Sequence, residues 1–426
     1  MSAPNLLAVV LGGRVVARIE RTRAGVLRLT YESDARGETD TPISLSLLPS
    51  VGTFTGDPVE GFLSGLLPDS DRALAAIGSR YGADPRDLLS LLAAVGKDCA
   101  GAVQLCTPDE IDATIARDGA LVALSDADVE MRLAELRTDE DAGWVMPGEH
   151  WSLGGSQQKF ALRHTDAGWF EAQGAQPTTH ILKPGIHKLT AQALLEHVSM
   201  RAAAACGVDV ALTEYTGFNS ESAIVVTRFD RAHTPDGGLV RLHQEDLCQA
   251  LGVTEKYEDR GGPTPGRIIR LLRDESRTAA DGRENVARFV DALVFNTVIA
   301  APDGHARNYA VLLDHDSVRL APIFDVASGL AYDPPPRAGR ALAMSVAGVF
   351  DPTKATGDDW RRFAAENRLD PDDILDRVRR YADVIPAAMR TAIDEVDDWD
   401  GTARTLAERL LPAVESHMLA MPSTTG

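Results

Sequence analysis

The stretch ENVARFVDALVFNTVIAA, residues 284–301, constrains the fold of this chain most. Val286, Phe289, Val290, Leu293, Val294 and Thr297 fall on one face at helical spacing, and other positions are apolar too. A helix apolar on most sides belongs inside a core rather than on a surface. Its end is abrupt, because Pro302 and the Asp303-Gly304 pair favour a turn. Asn308 follows five positions after Asp303, and a hairpin pattern, YAVLLDHDSVRLAPIFD, then delivers Asp325 at the end of a strand. The plain reading of APDGHARN is a turn. The alternative is a phosphoryl-transfer loop, and the rest of the chain must decide.

A chain of 426 residues is too long for one ordinary core, so two or three packed units are expected. It carries 43 basic and 63 acidic residues, a net charge of -20. Such a surface repels phosphate backbones, which argues against tight direct nucleic-acid binding by this chain alone. Cys99, Cys106, Cys206 and Cys248 form no CxxC pair and lie near no histidine cluster at metal-ligand spacing. They read as small buried apolar residues, not as a disulfide framework. The start, MSAPNLLAVVLGGRVV, is a strand pattern with no basic leader, so no signal peptide is expected. No apolar run reaches membrane-spanning length, and a reducing cytoplasm fits.

Three regions follow from the patterning. In residues 1–148, LLAVVL, RVVARIE and GVLRLTYE read as strands. SDRALAAIGSRYG and DPRDLLSLLAAVG then read as helices, the second opening with Asp84 as N-cap and Pro85 at the first helical position. Residues 149–235 are mainly short strands, KFALRH, GWFEAQ, THILKP and AIVVTRFD. The helix TAQALLEHVSMRAAAACG interrupts them and stops at Gly207. Residues 236–426 are mainly helical. In DPDDILDRVRRYADVI, Asp370 caps and Pro371 starts a helix with Ile374, Leu375, Val378, Tyr381, Ala382 and Ile385 inside. The acidic run DEVDDWD reads as a solvated face or a helix start.

Transfer of a γ-phosphoryl group needs a phosphate cradle, a fixed cation, magnesium ligands and a group that orients a hydroxyl. Candidates for each occur in kinase order. In WSLGGSQQKFAL, Gly154, Gly155 and Ser156 let the backbone approach an anion, and Gln157 and Lys159 of the same loop are candidate ATP-binding residues with them. No GK[ST] closes it, so it is not a Walker loop; alone it also fits a flexible turn. Lys183 ends the apolar strand THILKP, either to contact phosphates or to snorkel. Glu196 on the next helix is placed to pair with it or to face solvent. The polar break at Thr227, Arg228 and Phe229 suits a hinge whose backbone meets adenine. Asp303 and Asn308 reproduce the spacing of a kinase catalytic loop, and Asp325 stands where a second magnesium-binding oxygen belongs. His305 lies between them, for phosphate contact or for a structural hydrogen bond.

These segments resemble HipA-type serine/threonine kinases, the toxins of type II toxin–antitoxin pairs. The resemblance is carried by GKDCAGAVQL, SLGGSQQKFAL, HILKP, RLHQEDLCQALGV, KYEDRGGP, DGHARNYAVL, LAPIFDV and LAMSVAGVF. It departs at Ser156 and Gln158, where many relatives carry alanine and an acid. It implies an α+β, two-lobed protein-kinase-like fold with a β-rich N-terminal subdomain and a mainly helical C-terminal lobe. It implies ATP and Mg2+ in the cleft, Asp303 as catalytic base, Asn308 and Asp325 as metal ligands, Lys183 on phosphate, and Ser152 as the autophosphorylated serine. It further implies a helix-turn-helix antitoxin of HipB type, DNA contact only through that antitoxin, and a protein substrate, with aminoacyl-tRNA synthetases the best-known target class. Two other readings stand beside an active toxin: a catalytically weak antitoxin-binding co-repressor, and a small-molecule or lipid kinase of related fold.

Overall fold

The computed structural model describes residues 4–37, 40–138, 148–186, 188–334 and 340–421. Two compact units result. The first comprises Met1–Pro184, Thr216–Thr254 and Val311–Val318; the second comprises Gly185–Tyr215, Glu255–Ala310 and Arg319–Gly426.

In the first unit the alternating N-terminal segments form antiparallel strands Leu6–Leu11, Arg14–Arg21 and Leu27–Tyr31, joined by Thr53–Thr55 and Gln104–Cys106 in one sheet. The second expected helix starts later than its sequence suggests. It spans Leu88–Val95, and Asp87 caps it by accepting the Leu89 N–H at 3.0 Å. Asp84 instead accepts the Arg86 N–H at 2.9 Å, closing a local turn. The choice is tertiary: Arg21 pairs with Asp87 at 2.6 Å and fixes the cap there.

A second sheet runs in the order Thr213–Phe218, Glu221–Thr227, His180–Lys183, Phe160–Thr165, Gly168–Ala172, Leu121–Leu124. Leu121–Leu124 pairs with Gly168–Ala172, so the sheet crosses the break expected at residue 148. Leu7, Leu92, Trp151, Phe160, Leu182 and Val225 share one apolar cluster. The charged stretch expected before that break falls partly on 139–147, outside the described residues. The hairpin expected after Asn308 forms as Ala310–Asp314 and Ser317–Leu320, with His243–Asp246 beside it.

The second unit is built on the apolar helix Ala279–Val298, whose six expected inner residues are all buried. Thr278 and Asp281 start it with a capping box. The helix Pro371–Asp394 packs beside it and also touches Gln192–Ala205, Gly357–Glu366 and Thr402–Ala420. Asp370 caps Pro371–Asp394 as expected, and of its inner stripe only Ala382 is partly exposed. The run DEVDDWD resolves to a helix start, because Asp398 accepts the Ala403 N–H at 2.7 Å. All four cysteines are buried. Among the described residues no helix is long and apolar enough to cross a membrane.

Candidate active site

The opening loop is ordered by its own polar groups. After Val298 the chain turns through Ala300, whose φ is +50°, and the Ala301 N–H donates to the Asn296 carbonyl at 2.8 Å. The Asp303 carbonyl then accepts two hydrogen bonds, from the His305 N–H at 2.8 Å and from Asn308 Nδ2 at 2.7 Å. Because the Asn308 nitrogen is the donor there, its carbonyl oxygen is left as the atom suited to a hard cation. The Asp303 side chain is 60% exposed, as a base that must meet an outside hydroxyl requires. His305 is buried, with Nε2 3.6 Å from Asp303 Oδ1. Burial pushes its imidazole below the usual range, against the opposing pull of Asp303 and Asp325 and with help from Lys256. His305 is therefore neutral at pH 7. Among the described residues its Nδ1 is buried without a hydrogen-bond partner, an atom that a phosphate oxygen would satisfy.

Asp325 reaches the same neighbourhood through a clamp. Ser328 Oγ donates to the Ile299 carbonyl at 2.8 Å, and the Gly329 N–H donates to the Ala300 carbonyl at 3.2 Å. A Cβ on Gly329 would stand 2.5 Å from that carbonyl, so only glycine permits the approach. The segment after Asp325 is thereby stitched to the segment before Asp303. Asp325 holds a φ of +59°, a left-handed conformation that costs a non-glycine residue and is kept by its surroundings. Among the described residues no cluster of three His, Cys, Asp or Glu side chains forms a metal-binding group. One amide oxygen and one carboxylate nevertheless fit magnesium, which keeps most of its shell in water and substrate phosphates.

The remaining candidates lie in the first unit, apart from Glu196, which is buried on the helix Gln192–Ala205 of the second. Lys183 ends a central strand, flanked by Phe160–Thr165 and Glu221–Thr227, and is buried. The glycine loop is folded inward: Ser152 Oγ donates to the Leu66 carbonyl at 2.6 Å, and the Gly155 carbonyl accepts the Asp69 N–H at 3.2 Å. Gly155 has a φ of +95°, which explains the glycine. Ser156 is exposed and Gln157 partly so. Lys159 donates to the Gly154 carbonyl at 2.8 Å, so its ammonium closes the loop.

Arg228 corrects part of the hinge reading. Its N–H donates to the Thr179 carbonyl at 2.9 Å, and so is not available to adenine. Its guanidinium is wholly buried on Asp230 at 2.8 Å, in an ion cluster where Asp98 also meets Arg231 and Arg241. Thr227, just before it, ends the strand Glu221–Thr227 in register with His180. Reasoning from sequence also missed Tyr257, whose Oη donates to Asp303 Oδ1 at 2.6 Å. Its only signal was its place in the KYEDRGGP motif, because 46 residues separate the two.

Comparison with known proteins meets this geometry at its ends. Residues 7–106 match the HipA N-terminal domain model, and residues 151–389, which hold every candidate above, match the HipA-like C-terminal domain model. The chain is 32% identical to the putative kinase Y4mE of Sinorhizobium fredii, over 92% of this chain and 93% of that protein. It is 27% identical to the serine/threonine-protein kinase toxin HipA of Shewanella oneidensis, over 81% of this chain and 80% of that one. Its fold matches a chain of the HipA, HipB and operator DNA complex from Shewanella oneidensis MR-1, with a TM-score of 0.79 and 22% identity over 96% of this chain and 97% of that chain. With both domain models matched in order, the acid, amide and acid stitched together in the second unit belong to a member of the HipA-type kinase family.

Proposed function

We propose that this chain is an ATP-dependent serine/threonine protein kinase and the toxin of a type II toxin–antitoxin pair, arresting growth by phosphorylating a protein target. One observation carries the reading: the clamp of Ile299 and Ala300 on Ser328 and Gly329 draws the Asp303–Asn308 loop and Asp325 together. Bound magnesium supplies charge neutralisation on the transferred phosphoryl group. Asn308 and Asp325 would hold it. Lys183, His305, Gln157 and the backbone of Gly154, Gly155 and Ser156 would hold the phosphates, and Thr227 and Phe229 would line the nucleotide edge. Asp303 accepts the proton of the acceptor hydroxyl as its oxygen bonds to the γ-phosphorus and the bond to ADP breaks.

The target class is the aminoacyl-tRNA synthetases, and the partner is a helix-turn-helix antitoxin of HipB type, through which alone the chain reaches DNA. The Shewanella complex supports that partner. The site of action is the cytoplasm. Ser152 is the autophosphorylation site. It is buried against Leu66, so a phosphate there, with close to two negative charges, expels the loop.

Labelled ATP and magnesium, added to the purified protein with a lysate, test the reading. Label is expected on Ser152 and on at least one lysate protein; Ser152→Ala should abolish the self-label and keep the other. No labelled protein favours a co-repressor, and a labelled metabolite alone favours a small-molecule kinase. Asp325→Asn should raise the magnesium needed for half-maximal activity by at least about tenfold, the cost typical even of outer-shell changes. An unchanged magnesium titration would remove Asp325 from the site.

A further inference from the structure

We propose that Tyr257 is a positioning residue for the Asp303 carboxylate, holding one oxygen by its phenol so that the other is presented to the acceptor hydroxyl. The inference rests on the kinase reading above. An exposed carboxylate at a loop end is free to turn about its terminal torsion, which is broad. The Tyr257 phenol, donating to Asp303 Oδ1 at 2.6 Å, removes that freedom and leaves Oδ2.

Tyr257 is itself held on several sides. Its ring stands edge-on to His305, with centroids 5.0 Å apart and planes at 89°. The Arg260 guanidinium lies 4.9 Å and the Lys256 ammonium 5.6 Å from the ring centre. Glu255 Oε1 accepts the N–H groups of Lys256 and Tyr257 at 2.9 and 3.1 Å. The Tyr257 carbonyl accepts the Gly262 N–H at 2.9 Å, and a Cβ on Gly262 would stand 2.7 Å from that carbonyl. The Lys256 carbonyl accepts the Ala306 N–H at 3.3 Å, tying this turn to the loop that carries Asp303. From the far side the Glu258 carboxylate accepts the Ser345 N–H and Oγ–H at 2.6 and 2.8 Å. Two motifs with no assigned task, KYEDRGGP and LAMSVAGVF, therefore meet in one platform. What the platform delivers to the loop is one phenol on one carboxylate.

The test is Tyr257→Phe in the full-length protein, which keeps the ring and deletes the hydroxyl. The expected result is a kcat for protein phosphorylation lowered about 10- to 100-fold, the cost of a misplaced reacting group, with KM for ATP and melting temperature unchanged. On an Asp303→Asn background the same change should cost nothing further. A wild-type kcat, a lowered melting temperature that accounts for the loss, or full additivity with Asp303→Asn would each overturn the inference. Full activity of Asp303→Asn alone is a different failure, since it removes the kinase assignment itself.

Discussion

Asp303→Asn is expected to lower phosphoryl transfer by about 10³-fold, within the range that a general base supplies. The fold should not notice. The side chain is exposed, asparagine keeps an oxygen to accept from Tyr257, and the Asp303 carbonyl still receives His305 and Asn308. What is lost is the proton acceptor. Single-turnover transfer of label, read beside a melting curve, checks both halves. Full activity in the asparagine variant would rule out Asp303 as base, whereas a lowered melting temperature would make the loss uninformative about chemistry.

The largest effect on stability should come from Asp98→Ala. Asp98 is buried with Arg231 at 2.8 Å, Arg241 at 2.9 Å and Arg228 at 3.4 Å, and it also accepts the Thr178 N–H and hydroxyl. Removing it takes from the buried Arg241 side chain its carboxylate partner and leaves Asp230 to face Arg228 and Arg231 alone, and breaking a buried pair in this way costs about 3–5 kcal/mol. The matched control is Arg18→Ala. Arg18 is exposed and its partner Glu32 partly so, and pairs near the surface contribute about 0–1 kcal/mol. Urea midpoints of the two variants test the contrast; equal shifts would refute it. The same cluster sets an acid limit. Burial alone would raise the Asp98 pKa, but Arg231, Arg241 and Arg228 overcome it and hold the carboxyl well below its usual range. A depressed folded-state pKa stabilises the protein above the unfolded value, about 3.9, and that stability is lost as pH falls below it.

Much of the candidate site was legible because its parts are local. The Asp303 to Asn308 spacing is one loop, and Asp325 follows through a short hairpin whose strand pattern is plain. The inner face of Ala279–Val298 followed from helical periodicity alone. Errors came where distant residues decide. Asp84 looked like a cap, but Arg21, far upstream, selects Asp87. Arg228 looked like a hinge residue because a strand ends there, yet its charge answers to Asp98 and Asp230 inside the core. Tyr257 carried no local pattern that would place it on Asp303.

Periodicity, caps and the spacing of the acid, amide and acid belong to the sequence itself, because helix, strand and turn geometry act over a few residues. Only the tertiary structure decided that Leu121–Leu124 joins the sheet of Gly168–Ala172, that Lys159 closes the glycine loop, and that Ser152 is folded inward. It alone brought a phenol to the candidate base. The reason is physical: burial and hydrogen-bond partners depend on which distant segments pack together, and no short stretch of chain contains that information.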